Sequence, residues 1–220
     1  MLYYVVFGCF NLSGTGKIIS SDYVMGIIYG LRLKDFMEKL EESKDPKIIY
    51  VNDLVSCSHK RLFRMKFPEL QFRFEPPMIL GELVHRGLED ILKDRGFEQE
   101  VSIEKEVKID GETYIVKGRM DAFNKDNGVV IEIKTARSSQ GVPHRHHILQ
   151  MQIYMNIIDA KEGLLVYITP DRILEYKVIK ETIDIDELVR ETINDAVHPR
   201  WDWECRYCVY SKLCPYRITE

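Results

Sequence analysis

Four cysteines of this 220-residue chain have the spacing of metal ligands. Cys205, Cys208 and Cys214 lie near the C-terminus in the pattern C-x2-C-x5-C, with a proline directly after the last. Cys57 lies far upstream. Thiolates at such spacings hold a zinc ion or an iron–sulfur cluster, and the spacing alone leaves both open.

Two carboxylates and a lysine form a second group. Asp121 ends the run Gly-Arg-Met-Asp, and Glu132 and Lys134 are two residues apart on a predicted strand, so their side chains share one face. If the two strands are neighbours, Asp121 and Glu132 converge and repel unless cations lie between them. Divalent ions held in this way can activate water against a phosphodiester, and Lys134 can orient that water or stabilise the transition state.

Two predicted helices add further candidates. His85 and Glu89 are four residues apart and share a helical face, where an imidazole suits Mn²⁺ and similar ions. Gln150 and Tyr154 have the same spacing and can hydrogen-bond the lysine, a metal-bound water or a DNA phosphate. Because a single E-x-K triplet or helical histidine is common, only the combination of motifs indicates a nuclease.

Composition narrows the function classes. The formal net charge of −4 argues against a protein that coats DNA, but it suits an acidic metal site. The start has no basic region or cleavage pattern of a signal peptide, and no apolar run is long enough to cross a membrane. We therefore expect a cytoplasmic protein with no membrane partner, whose cysteines are not a disulfide framework. The remaining cysteine, Cys9, is expected to be a buried thiol.

The periodicity of apolar residues predicts an α+β fold. Helices are predicted over 22–42, 52–66, 78–95, 144–158 and 184–197, and strands over 1–10, 101–109, 113–123, 129–134, 164–169 and 173–179. Asp110-Gly111 and Asn127-Gly128 are turn signals between strands. A helix, three strands, a helix and a strand suit a mixed sheet flanked by helices. We expect a single domain with an N-terminal helical part (1–77), a core (78–180) and a C-terminal helix and cysteine-rich tail (181–220).

Basic and aromatic residues accompany the cysteines. The basic ones are His59, Lys60, Arg61, Arg64, Lys66, Arg200, Arg206, Lys212 and Arg217, and Trp201, Trp203 and Tyr207 are interleaved with the last four. A basic groove with aromatic platforms holds single-stranded nucleic acid without reading its bases. The alternative interpretation is that the aromatic rings only pack around the cysteine site.

Taken in order, the motifs resemble those of the RecB-type nucleases of the PD-(D/E)xK superfamily. The family's G-x-x-x-H, G-x-x-D, E-x-K and Q-x-x-x-Y correspond to Gly81–His85, Gly118–Asp121, Glu132–Lys134 and Gln150–Tyr154. With its added cysteines, the chain is similar to one branch, the fourth family of CRISPR-associated proteins or Cas-four exonucleases. The motifs extend from Cys57 to Cys214, nearly the whole chain, although the first fifty residues match none of them.

The resemblance implies a restriction-endonuclease-like fold and a particular site. It implies Mn²⁺ or Mg²⁺ held by His85, Asp121, Glu132 and the Ile133 carbonyl, with Lys134 as the catalytic lysine and Gln150 and Tyr154 beside it. It also favours an iron–sulfur cluster over zinc, and 4Fe-4S over 2Fe-2S, on Cys57, Cys205, Cys208 and Cys214. The cluster would tie the N-terminal part to the tail.

The implied activity is exonucleolytic cleavage of single-stranded DNA, commonly 5′ to 3′, which trims new spacers during CRISPR adaptation. The expected partners are single-stranded DNA and the CRISPR integrase complex, and a homo-oligomer is left open. Two alternatives remain at this point. One is a stand-alone DNA-repair nuclease of the same superfamily, and the other is a non-catalytic DNA-binding scaffold with a structural metal site.

Overall fold

The computed structural model describes residues 20–218. The strand expected over 1–10, and with it Cys9, lies outside the described residues. Contacts group the chain into two compact units, residues 1–39 and 40–220. Helix α1 (Tyr23–Leu40) makes up most of the described part of the first unit, its last residue being the first of the second unit, and it agrees with the helix predicted over 22–42. The predicted division at 77 and 180 stays a prediction.

The second unit holds the remaining α-helices and the strands. In chain order they are β1 (Ile48–Tyr50), α2 (Val51–Leu54), α3 (Ser58–Lys66), α4 (Pro76–Lys93), β2 (Glu98–Ile109), β3 (Glu112–Asn124), β4 (Val129–Thr135), α5 (Arg145–Ile158), β5 (Glu162–Ile168), β6 (Ile173–Ile179), α6 (Ile185–Ile193) and α7 (Glu204–Tyr207). The predicted order from α4 to β6 is confirmed. Asp110 and Gly111 adopt positive φ, as the hairpin between β2 and β3 requires.

These strands form one mixed six-stranded sheet. β3 pairs antiparallel with β2 along one edge, and its other edge pairs first with β1, in parallel, and then with β4, antiparallel. β5 lies parallel to β4, and β6 closes the sheet antiparallel to β5. The run Val129–Thr135 is therefore a central strand, which explains why its residues are apolar on both sides of Glu132.

The two partners of β3 leave a gap between them. β1 pairs with residues 115–117 of β3, whereas β4 pairs with residues 122–124. The four residues Gly118–Asp121 therefore have no strand of the described chain beside them on that edge. The G-x-x-D motif occupies this opening, where its backbone and side-chain groups are free to bind something other than a neighbouring strand.

Helices cover both faces of the sheet. Val84, Leu88 and Leu92 of α4 pack against a small cluster formed by Ala122, Ile131 and Ile133. Residues of α2, α5 and α6 belong to the larger core on the other face, which includes Leu54, Met151, Tyr154, Met155 and Val189. α4 and α5 consequently approach the opening in β3 from different layers.

The N-terminal part differs from the prediction. The helix expected over 52–66 is two helices, α2 and α3, separated by Val55–Cys57, and the three-residue strand β1 precedes them. The backbone N–H of Cys57 donates to the carboxylate of Glu204 (3.0 Å), a contact across 147 residues that no local pattern reveals. The break places Cys57 at the N-terminus of α3, facing the tail.

Candidate active site

Asp121 lies at the end of the opening in β3. The N–H of Ile133 donates to its Oδ2 (2.6 Å), and His85 Nδ1 on α4 lies 3.3 Å from its Oδ1. Ile133 is free to donate because the β3–β4 ladder ends at the pair Ala122–Ile131. The hydrogen bond with Asp121 raises the pKa of His85, although burial opposes the shift. The contact joins a helix, β3 and β4 at one point.

Glu132 is the most buried acid of the site, with 3% of its surface exposed. Its Oε1 accepts hydrogen bonds from Lys134 Nζ (2.6 Å) and Gln150 Nε2 (2.9 Å). Its Oε2 is buried and has no hydrogen-bond partner among residues 20–218. Burial raises the pKa of Glu132 to about 7, the charge of Asp121 adds to the shift, and Lys134 opposes it.

The unpaired Oε2 of Glu132 indicates that this group of residues binds a metal ion. A buried carboxylate oxygen without a donor is costly unless a cation pairs with it. Carboxylate oxygens and an imidazole nitrogen are also the donors that Mg²⁺ and Mn²⁺ accept. The donor set of His85, Asp121 and Glu132 therefore fits a divalent ion.

A chain of hydrogen bonds leads from Lys134 to the other face of β3. Lys134 Nζ donates to Gln150 Oε1 (3.0 Å), and Gln150 Nε2 donates to the hydroxyl of Tyr154 (2.9 Å). Tyr154 in turn donates to the carbonyl of Arg119 (3.0 Å), which lies in the opening of the sheet. Burial raises the pKa of Tyr154, so its hydroxyl stays protonated and remains a donor. The structure thus brings the Q-x-x-x-Y motif to the E-x-K motif.

Glycine is required at position 118 by this packing. A Cβ atom there would lie 2.8 Å from Cε1 of Tyr154 and 2.8 Å from Cγ2 of Val51. Real Cβ contacts are longer, so a side chain would displace the tyrosine from its bond with Arg119. Gly118, the first residue of the G-x-x-D motif, therefore leaves the space that the ring of Tyr154, the last residue of the Q-x-x-x-Y motif, occupies.

Glu89 is a site residue that the sequence pattern indicates only weakly. It lies one turn after His85 on α4, and one ligand atom each of His85, Glu89 and Asp121 lie within 4.8 Å of one another. Burial raises its pKa, and the charge of Asp121 adds to that effect. The i, i+4 spacing from His85 was the available signal, but the sequence does not show that Glu89 is buried.

Comparison with known proteins agrees with this arrangement. Residues 92–215 match the family model of the PD-(D/E)XK nuclease superfamily. The chain is 43% identical over 195 residues to the CRISPR-associated exonuclease Cas4 of Saccharolobus solfataricus, a match that covers 84% of this chain and 96% of that protein. The chain belongs to the PD-(D/E)XK nuclease superfamily, in the family of Cas4 exonucleases.

A solved structure supports the same assignment. The crystal structure of SSO0001 is 41% identical and superposes with a TM-score of 0.81, covering 88% of this chain and 98% of that one. The predicted fold class and the prediction of a nuclease are thus confirmed. Within residues 20–218, no helix is both long and apolar enough to cross a membrane.

The four predicted cysteine ligands of the nuclease line one cavity. Cys57 is buried and Cys205, Cys208 and Cys214 are half-buried, and all four are free thiols around a cleft of about 350 Å³. Burial raises the pKa of Cys57 to about 11 and also raises the pKa of Cys208. A cation beside Cys57 and Cys208 would favour their thiolate forms, so the cavity suits a metal ion or metal cluster.

Glu204 holds the two halves of this cysteine site together. It is only 1% exposed, and its carboxylate accepts from the backbone N–H groups of Cys57 (3.0 Å), Arg200 (2.8 Å) and Trp201 (3.1 Å). Lys60 Nζ donates to it as well (3.0 Å). No sequence motif marked this residue, because a single glutamate in a tail has no distinguishing neighbours.

Several basic residues of the expected DNA-binding groove bind other groups of the protein instead. Arg61 and Arg64 are buried, where Arg61 donates to the carbonyl of Pro46 and Arg64 forms an ion pair with Asp53 (2.7 Å). Arg200 likewise pairs with Glu191 (2.7 Å). These arginines stabilise the N-terminal helices and their contact with the tail, so they are not available to DNA phosphates.

The histidines at the start of α5 lie against the tail and β5. The ring of His146 lies 4.8 Å from the ring of Trp203, and His147 Nδ1 lies 2.7 Å from the hydroxyl of Tyr167. Burial lowers the pKa of His146 to about 4 and that of His147 to about 2, and Lys134 adds to both shifts. Both rings are therefore neutral near pH 7 and cannot act as cationic phosphate contacts.

Proposed function

We propose that this nuclease is a metal-dependent exonuclease that degrades single-stranded DNA from 5′ to 3′ and trims new spacers in CRISPR adaptation. The observation that carries the proposal is the buried, unpaired oxygen of Glu132 next to Asp121 and Lys134. The relative from Saccharolobus solfataricus is named a CRISPR-associated exonuclease, which supports the finer assignment. The partners we infer are single-stranded DNA and the CRISPR integrase complex.

In the proposed site, His85, Asp121, Glu132 and the Ile133 carbonyl hold Mn²⁺ or Mg²⁺. When bound, the metal supplies positive charge that stabilises the transition state of phosphodiester hydrolysis. Lys134 is held at a fixed position by Glu132 and Gln150, so its ammonium can stabilise negative charge or orient the attacking water. Tyr154 fixes Gln150, and through it the position of Lys134.

Cleavage of end-labelled single-stranded DNA in Mn²⁺ tests this assignment. We expect Asp121→Asn and Lys134→Ala to reduce the rate by on the order of 100-fold or more. Lys125→Ala, which removes an exposed lysine outside the site, should cleave like the parent. A parental rate in Asp121→Asn would contradict the active-site assignment, provided that its thermal unfolding is unchanged.

The same substrates test the direction of degradation and the proposed role in spacer trimming. A streptavidin block on the 5′ end should stop degradation, whereas a block on the 3′ end should not. Addition of the CRISPR integrase complex should stop trimming at a defined product length. If the integrase neither binds the nuclease nor alters its products, the stand-alone repair nuclease is the better interpretation.

We further propose that Cys57, Cys205, Cys208 and Cys214 bind an iron–sulfur cluster, 4Fe-4S rather than 2Fe-2S. Four soft ligands around one cavity suit a cluster or zinc, and the cysteine-proline pair at Cys214 occurs in iron–sulfur proteins. The cluster would join α3 to the tail as a structural element. Anaerobically purified protein should be brown and contain about four iron atoms, and Cys57→Ala should lose the colour. Stoichiometric zinc without iron would contradict the proposal.

A further inference from the structure

Arg119 is an exposed cation inside the opening of β3. Its side chain is 52% exposed, and it belongs to the run Gly118–Asp121, which has no strand of the described chain beside it on one edge. Its neighbours Gly118 and Met120 face the core that contains Tyr154 of α5. Because side chains alternate along a strand, Arg119 points to the opposite layer, which contains α4.

The backbone of Arg119 is fixed although its side chain is exposed. Its carbonyl accepts the hydrogen bond from the Tyr154 hydroxyl (3.0 Å), and its partner in β2 is Ser102. The guanidinium therefore extends from a defined position two residues before Asp121. Burial raises the pKa of Glu89 on α4, and the charge of Arg119 opposes that shift. Arg119 is thus close enough to act electrostatically on the acidic site.

The guanidinium forms an ion pair with Glu100 of β2. Arg119 Nη1 lies 3.2 Å from Glu100 Oε1, and the glutamate side chain is 54% exposed. Water screens an exposed pair of this kind, so the interaction is weak and another anion can replace the glutamate. Arg64 differs, because its pair with Asp53 is buried.

Glu100 has a backbone conformation that is unusual for its residue type. Its φ is 47°, in the left-handed region that residues other than glycine rarely adopt. The ladder between the described strands β2 and β3 continues on both sides of this residue but skips the pair Glu100–Asp121. Strained residues persist where the surrounding structure holds them, and they are common at functional sites. This one lies opposite Asp121 and brings its carboxylate to Arg119.

The acidic site gives an exposed cation at this position a use. Asp121, Glu132 and Glu89 place three carboxylates near the opening, and their charge repels a DNA backbone unless cations offset it. Lys134 is half-buried and donates to Glu132. Arg119 presents its positive charge on the other layer of the sheet, where a strand that enters the site from solvent can reach it.

We propose that Arg119 binds a phosphate of the DNA strand next to the phosphate at the carboxylates, and that Glu100 holds the guanidinium when no DNA is bound. This inference rests on the proposed function and deepens it, because it names a substrate-binding residue. A guanidinium can donate two parallel hydrogen bonds to one phosphate, which an exposed carboxylate pair leaves accessible. Phosphate contacts position a strand without reading its sequence.

Single-turnover cleavage of end-labelled single-stranded DNA in Mn²⁺, with the full-length nuclease in excess, tests the inference. We expect Arg119→Gln to raise the nuclease concentration that gives the half-maximal rate by about 10-fold or more, with a maximal rate close to that of the parent. The dependence of log affinity on log salt concentration should become less steep by about 0.7, as the loss of one phosphate contact on a single strand requires. Arg119→Lys should retain the salt dependence of the parent.

Lys125→Gln is the matched control. Lys125 forms an exposed ion pair with Glu98 (2.8 Å) across the same two strands, beyond the opening. Its half-saturating concentration and its salt dependence should match those of the parent. Thermal unfolding should be nearly the same for both glutamine variants, because each removes one partner of an exposed pair.

The role of Glu100 is tested by Glu100→Gln. This variant should reach its half-maximal rate at a lower nuclease concentration than the parent, because the guanidinium is no longer held. The gain should be much smaller when Arg119→Gln is also present. An equal gain in both backgrounds would overturn the part of the proposal that concerns Glu100.

Two results would overturn the role of Arg119. One is an Arg119→Gln protein whose half-saturating concentration and salt dependence match those of Lys125→Gln. The other is a loss confined to the maximal rate. Either result in a protein that cleaves single-stranded DNA leaves the proposed function intact. A parent that does not cleave single-stranded DNA in Mn²⁺ overturns the proposed function, and this inference with it.

Discussion

The backbone of Gly118 and the ring of Tyr154 lie in direct contact, at a distance that leaves no room for a side chain on residue 118. A Cβ atom would lie 2.8 Å from Cε1 of the tyrosine. Because Tyr154 donates to the carbonyl of Arg119 and accepts from Gln150, this contact determines where the hydrogen-bonded chain to Lys134 begins. Two motifs that are far apart in sequence therefore depend on each other sterically.

We expect Gly118→Ala to displace Tyr154 and to lower both stability and activity. Overpacking of this kind costs about 1–3 kcal/mol of unfolding free energy, which urea denaturation measures. Gly87→Ala is the matched control, because a Cβ there meets nothing within 4 Å beyond its chain neighbours and the backbone of its own helix. That control should gain about 0.5–1 kcal/mol. Equal stability of the two variants would show that the close contact is not important.

The features of this fold and site that could be predicted from the sequence are those that depend on residues close together in the chain. The elements from α4 to β6 were predicted because each has its own periodicity and turn signals. The three residues of β1 and the break before Cys57 were not, since both depend on contacts with β3 and Glu204. Distant motifs such as Gly118 and Tyr154 could be named from the family pattern, but their contact could not.

Removal of the hydroxyl of Tyr154 tests the same series of hydrogen bonds without disturbing the packing of the ring. Tyr154→Phe would leave the ring against Gly118 and would deprive Gln150 and the Arg119 carbonyl of a partner. We expect a loss of about 1–2 kcal/mol in stability and a lower cleavage rate with unchanged Mn²⁺ affinity. Weaker Mn²⁺ binding in this variant would instead place Tyr154 in the metal site.

The stability of the metal-free protein should depend on the ionisation of Glu132. Burial raises its pKa to about 7 in the folded state, whereas the unfolded chain has the ordinary value near 4.5. The folded state therefore binds the extra proton, and its stabilising contribution is present below pH 4.5 and is lost as the pH rises through 7. In EDTA, the unfolding free energy should fall by up to about 3 kcal/mol across this range.

Glu132→Gln isolates this contribution, because His85 and Glu89 also have shifted pKa values and titrate in the same solutions. The pH-dependent fall should be smaller in the variant than in the parent. Identical profiles would show that Glu132 has an ordinary pKa. Saturating Mn²⁺ should also flatten the profile of the parent, since metal ions favour the ionised carboxylate.

The interaction of Glu204 with Cys57 predicts a large effect at a residue outside any motif. Glu204→Ala would leave three backbone N–H groups and Lys60 without their acceptor in a buried place. We expect a loss of about 3–5 kcal/mol and a protein that retains less iron, as measured by denaturation and metal analysis. Glu187→Ala, at an exposed position of α6, is the control and should change stability by less than about 0.5 kcal/mol. A Glu204→Ala protein as stable as this control would contradict the structural role.

The two tryptophans of the tail are predicted to have different functions. Trp201 donates its indole N–H to the carbonyl of Val55 (2.8 Å), so it joins the tail to the N-terminal helices. Trp203 is 37% exposed, and its ring lies 4.8 Å from that of His146 at the start of the helix that carries Gln150. An exposed aromatic ring two residues before Cys205 and beside this helix suits a platform on which a DNA base stacks.

We therefore expect Trp203→Ala to bind single-stranded DNA about 5- to 150-fold more weakly, which corresponds to the roughly 1–3 kcal/mol of one stacked base. Its stability and Mn²⁺ binding should match the parent. Trp201→Ala should instead lower the unfolding free energy, because it removes a half-buried ring and its hydrogen bond. Fluorescence anisotropy with a labelled oligonucleotide and urea denaturation separate the two effects. Unchanged DNA affinity in Trp203→Ala would favour the interpretation that both rings only pack around the cysteine site.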